Sequence, residues 1–164
     1  MDFNRIKTIE EFVIEVRDTL GLDNQFKDIA MYKPLTFDML TEAIMKSHSD
    51  INIYDIHGSS SKYYVIKKKT YIEIPKNLDD FSRLRLLSYS FGAHMLDEFC
   101  TDKNVKEYSS LFMYALILPR ELFYKALEMT MDDNMTIHVD KVADFLQMPR
   151  EFVLTRGRHL MIWQ

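Results

Sequence analysis

The sequence predicts an α+β fold: a helix-rich single domain spanning residues 1–164, with a small β-sheet packed on a helical core. Three observations carry this. Apolar residues recur at helical spacing near both ends of the chain. Between Ile51 and Ile74 the period shortens to that of strands, and from about Leu78 a helix is apolar on nearly all sides. A chain of 164 residues suffices for one core, since folding at that size buries roughly 70% of the surface the unfolded chain exposes.

The elements follow in order. Ile9, Phe12, Val13, Val16 and Leu20 make one helical stripe that stops at Gly21, a common C-terminal signal. A second helix is expected from Thr36 to Met45 with Phe37, Leu40 and Ile44 on one face, and Pro34 limits how far upstream it begins. Ile51, Ile53 and Ile56 read as a short strand, and Gly58-Ser59-Ser60-Ser61 as a turn. Tyr63 to Ile74 stays extended around Lys67-Lys68-Lys69, as a hairpin or bulged strand pair that Pro75 ends. The triple lysine suits either phosphate binding or a solubilising turn.

From Asn77 the pattern is helical. Asn77 is a candidate cap, Asp79 and Asp80 suit the positive end of the helix dipole, and the apolar series runs to Phe99. A further helix is expected from Val105 to Met129, broken at Pro119. Two short helices, Val139 to Leu146 and Pro149 to Met161, form a C-terminal helical subregion over residues 136–162.

Composition excludes some classes. With 47% hydrophobic and 28% charged residues the balance is that of an ordinary globular chain, and a net charge of −4 gives no support to bulk electrostatic binding of nucleic acid. Cys100 is the single cysteine, so an intrachain disulfide is impossible. It reads as a small buried hydrophobe in a reducing compartment. No run of about 18 apolar residues occurs, and the first residues, with Asp2, Arg5, Lys7, Glu10 and Glu11, do not form an apolar leader. The expectation is a cytoplasmic protein without a membrane span.

The segment Leu84 to Leu96, with Arg85-Leu86-Leu87-Ser88-Tyr89-Ser90-Phe91-Gly92-Ala93-His94-Met95-Leu96, resembles the active-site helix of ImmA/IrrE-type zinc metallopeptidases, written R-F-x-x-A-H-E-x-G-H-x-x-x-H, with the glycine at Gly92. Downstream, Ser109 to Pro119 is similar to that family's A-N-x-F-A-A-x-L-L-M-P signature. Val139 to Pro149 with Phe152, Val153 and Arg156 resembles its helix-turn-helix-like tail. The resemblance spans roughly Thr36 to Met161 and implies a zincin-like helical core.

The chemistry departs from the family. In an H-E-x-x-H helix two histidines on one face bind zinc, and the glutamate is the general base toward metal-bound water. Aligned to that pattern, the first histidine falls on Tyr89, the glutamate on Ser90 and the second histidine on Ala93. The third ligand falls on Lys106, or on Glu107 if the register slips by one. Phenol, methyl and ammonium do not replace imidazole or carboxylate in a zinc shell. His94 lies about 100° further round the helix than Ala93, and with Glu98 it forms an i, i+4 pair open to metal binding or to simple hydrogen bonding. His48, His57, His138 and His159 show no ligand spacing, and Ser88, Ser90 and Cys100 have no histidine or other base at a motif spacing.

The expectation is therefore a pseudo-peptidase with no catalytic residues, metal or cofactor, acting as a protein-binding regulator. By the resemblance, its partner would be a helix-turn-helix repressor or a toxin-antitoxin component of a mobile element or phage. The expected partner cleft comprises Tyr89, Ser90, His94, Lys106 and Tyr114. Two alternatives stand beside it: nucleic-acid binding by the C-terminal helices through Arg150, Arg156 and Arg158, and a metallopeptidase using non-standard ligands.

Overall fold

A computed structural model of the chain describes residues 3–97 and 104–163. In chain order these form α1 (Phe3–Thr19), α2 (Phe37–Ser47), β1 (Ile51–Ile56), β2 (Lys62–Ile66), β3 (Lys69–Pro75), α3 (Asp80–Leu96), α4 (Val105–Ile117), α5 (Arg120–Thr130), α6 (Val139–Leu146) and α7 (Arg150–His159). Two 3-10 turns, Asp23–Phe26 and Ile29–Met31, follow α1. The fold is α+β. Cys100, Glu98 and the expected end of the α3 series at Phe99 lie outside the described residues.

α1 begins well before Ile9 because Ile6 extends the buried stripe of Ile9, Val13, Val16 and Leu20 by one more turn. It ends before Gly21, whose φ of +68° is the left-handed conformation that glycine adopts without penalty. α2 buries Phe37, Leu40 and Ile44, and Thr36 caps it by accepting from the Met39 N–H at 3.2 Å. The cap of α3 is Asp79 rather than Asn77. One Asp79 oxygen accepts from the Ser82 N–H at 2.9 Å and the other from the Ser82 hydroxyl at 2.6 Å, and these bonds hold the carboxyl below its usual range. The long downstream helix divides at Pro119, which has no N–H to continue the ladder and instead occupies the cap position of α5. α6 closes on Gln147 at φ +54°, with the Met148 N–H returning to Ala143 O at 3.1 Å.

α3 runs through the middle of the molecule. Leu84, Leu87 and Phe91 are fully buried, and α3 packs on α4 and on β3. A side chain at Gly92 would meet the Phe112 ring at 2.6 Å, so the missing Cβ is what lets α4 approach this closely. α1 and α7 pack on α4 as well, and α6 joins α5 to α7.

The sheet has the order β1-β3-β2, with β1 parallel and β2 antiparallel to β3. Alternation along β3 turns Thr70, Ile72 and Ile74 toward the core. The opposite face carries Tyr54, Tyr71 and Tyr64, one from each strand. Lys67 and Lys68, at φ +49° and +64°, make a two-residue turn of the I′ kind between Ile66 and Lys69, so the extended stretch is a hairpin without a bulge.

Candidate functional site

A cleft of about 590 Å³ opens between α3, α4 and the β1–β2 loop. On α3, the spacing of Ser82, Arg85, Leu86 and Tyr89 puts all four on one helical face, and that face forms one wall. α4 supplies Ser110, Met113 and Tyr114 opposite, while Ser59 and Ser61 of the loop close one end. Among the described residues Arg85 is the only charged group lining the cleft, and it meets no carboxylate there. Among the described residues the remaining lining is hydroxyl, thioether, aliphatic and aromatic, and it includes no carboxylate, imidazole or thiol to move a proton.

Tyr114 joins the cleft to α7. Its ring stacks on Phe152 at 4.5 Å and receives the edge of His159 at 4.8 Å. Burial, with the Arg156 charge second, holds the His159 imidazole below its ordinary pKa, and its Nδ1 is buried without a hydrogen-bond partner among the described residues. A neutral ring at this position lets α7 serve as packing behind the cleft.

The structure brings together only two of the five expected cleft residues, Tyr89 and Tyr114. Ser90 is 4% exposed and points into the core, because the next position along a helix is rotated by about 100° from Tyr89. His94 turns toward the sheet, where its Nδ1 lies 3.4 Å from both the Tyr63 hydroxyl and the Thr70 hydroxyl. Lys106 is exposed in the first turn of α4 and does not line the cleft. Ala93 is half-buried and likewise outside the lining.

The positions that the resemblance assigns to zinc therefore form no donor set: a half-buried phenol, a core hydroxyl, a methyl and a solvated ammonium. Among the described residues no three His, Cys, Asp or Glu side chains gather closely enough to hold a metal ion. The other histidines also have separate surroundings: His48 lies edge-on to Phe91, and His138 Nε2 is 3.1 Å from Asp132 Oδ2.

The expected basic cluster of the C-terminal helices is not assembled. Arg156 is fully buried and bound to Glu10 and to Leu118 O, so it is unavailable to phosphate. Arg150 is exposed but paired with Asp140 at 2.8 Å and Glu151 at 3.0 Å, which leaves Arg158 as the exposed cation of the three without a carboxylate partner among the described residues.

Sequence reasoning missed Arg85, Ser82, Ser110 and Met113. The signal was present in the period, since Ser82, Arg85 and Tyr89 recur at helical spacing on the face of α3 that also holds Leu86. No helix among the described residues is long and apolar enough to cross a membrane. Comparison of the chain with family models, with curated proteins and with solved structures returned no match.

Proposed function

We propose that the protein is a catalytically inactive, peptidase-like regulator that holds a segment of a protein partner in the cleft between α3 and α4. Its setting is the cytoplasm, and its partner is a helix-turn-helix repressor or toxin-antitoxin component of a mobile element or phage, as the resemblance in sequence implies. The observation that carries the reading is the lining of the cleft. It lies against the helix that resembles a peptidase active-site helix, has room for a side chain or two of a peptide, and among the described residues contains one unpaired cation with hydroxyl and apolar groups and no acid or base. Such a lining recognises a segment bearing a carboxylate beside an apolar anchor.

Selection of a random displayed-peptide library against the protein tests this. Enriched peptides are expected to carry Asp or Glu next to a bulky apolar residue and to bind Arg85→Glu at least about tenfold more weakly, the loss of one charge-assisted hydrogen bond. Lys106→Glu, the same charge change outside the cleft, serves as the control. Equal weakening by both variants, or by neither, removes the cleft from the reading.

A further inference from the structure

Tyr54 of β1, Tyr71 of β3 and Tyr64 of β2 stack in a row across the face of the sheet turned away from α3. Neighbouring ring centroids are 6.3 and 5.4 Å apart, and the ring planes differ by only 13° and 12°. Because β3 is the central strand, Tyr71 is the middle ring, and Tyr54 and Tyr64 each keep one outer π-face. Tyr54 is 50% and Tyr64 36% exposed.

Cations surround the Tyr64 end of the row. Lys62 and Lys69 alternate onto the same face as Tyr64 and Tyr71, and Lys67 and Lys68 form the adjoining turn. All four are exposed, and none meets a carboxylate among the described residues. Glu73 is the one acid that the three strands place on this face, and it accepts a hydrogen bond from the Tyr64 hydroxyl at 2.8 Å. In a chain of net charge −4 this is a local reversal of sign.

We propose that this face binds single-stranded nucleic acid, with bases stacking on the open ends of the tyrosine row and phosphates meeting Lys62, Lys67, Lys68 and Lys69. Lysines alone would serve any polyanion. The exposed π-faces favour a strand whose bases are free to stack, because a duplex keeps its base faces within its own stack. The inference is independent of the cleft reading, since the two surfaces share no residue.

Fluorescence anisotropy with a labelled oligothymidylate of about twelve nucleotides, compared with a duplex of the same length, tests the proposal on the full chain. The single strand is expected to bind more tightly and to weaken with added salt. Tyr54→Ala or Tyr64→Ala should weaken it about tenfold, as loss of one stacked base does, while the Phe variants retain it. Lys67→Glu with Lys68→Glu should flatten the salt dependence. Both tyrosines are exposed, so unchanged Trp163 emission will certify the fold of each variant. Absence of binding, equal affinity for the duplex, or insensitivity to the tyrosines overturns the proposal. Loss of binding on Arg158→Glu instead moves the contact to α7 and also overturns it. So does tyrosine-dependent self-association in light scattering, which assigns the face to a second copy.

Discussion

Arg156 and Glu10, 146 positions apart, form a bidentate ion pair in the interior. Arg156 Nη2 donates to Glu10 Oε2 at 2.8 Å, Nη1 donates to Oε1, and Nε donates to Leu118 O at 2.8 Å. Arg17 does a parallel service from α1: it is 2% exposed, and its guanidinium donates to Leu116 O and, at 3.2 Å, to Leu22 O. Burial brings the Arg17 pKa down to about 10, against the raising effect of Asp23. The last carbonyls of a helix have no partners within it and lie at the negative end of its dipole. Two buried guanidiniums therefore satisfy the end of α4 where Pro119 stops the ladder, and they tie the first and last helices to it.

Removing one member of the pair leaves the other charge buried and uncompensated, which costs about 3–5 kcal/mol in comparable interiors. Glu10→Ala is expected to lose that much in urea unfolding followed by Trp163 emission. Glu10→Gln keeps an acceptor for one of the two bonds and should lose less. A loss under about 1 kcal/mol for Glu10→Ala, in the range of an exposed pair, would mean that the pair is solvated in solution.

Gly92 and Phe112 set the separation of α3 and α4. An added Cβ would lie 2.6 Å from Phe112 Cδ1 and 2.9 Å from Cγ, and the ring is fully buried with little room to retreat. Gly92→Ala is expected to destabilise by about 1–3 kcal/mol, the usual cost of overpacking, despite alanine's better helix propensity. Phe112→Leu should partly rescue it, so the two changes together cost less than their sum. Strict additivity in thermal or urea unfolding would show that the contact is not the cause.

The pair at Arg156 also marks what the sequence alone leaves hidden. A lone arginine in a C-terminal helix reads as surface, because burying a guanidinium is tolerable only with a partner, and nothing local points to Glu10. The same limit hid the tyrosine row. Tyr54, Tyr64 and Tyr71 become neighbours only once β3 is known to lie between β1 and β2. Where the determinants are local, they were readable: the apolar period of α2, the exact span of α6, the short isoleucine-rich strand β1, and the break at Pro119. The cleft lies between these cases. Tyr89 and Tyr114 follow from the resemblance, whereas Ser90 and His94 leave the cleft by a rotation of the helix that motif alignment does not measure.

Lys67 and Lys68 both occupy the left-handed region, which costs a residue with a Cβ roughly 1–2 kcal/mol. An I′ turn is native to Asn-Gly. Replacing the two lysines by Asn-Gly is expected to stabilise the protein by about 1–2 kcal/mol in urea unfolding, since the turn geometry is kept and its strain relieved. On the proposal for the sheet face, the same variant should bind the oligothymidylate more weakly. A stabilised variant with full affinity would separate the turn's conformation from any role of its charges.

His159 should make stability depend on pH in a defined direction. In the unfolded chain the imidazole titrates near 6.5, and in the folded chain burial and the Arg156 charge lower that value. Between the two values the unfolded chain holds more protons, so its contribution is complete above about pH 6.5 and is lost as pH falls toward the folded value. Below the folded value the loss levels off. The lowered carboxyls of Asp79 and Asp132 titrate further toward acid and do not set this window. The urea midpoint is therefore expected to fall between about pH 7.5 and pH 5.5 in the unmodified protein. In His159→Phe, which keeps a ring against Tyr114 but cannot be protonated, that part of the fall should disappear. An identical fall in both proteins would place the titrating group elsewhere and release the back of the cleft from any requirement for a neutral histidine.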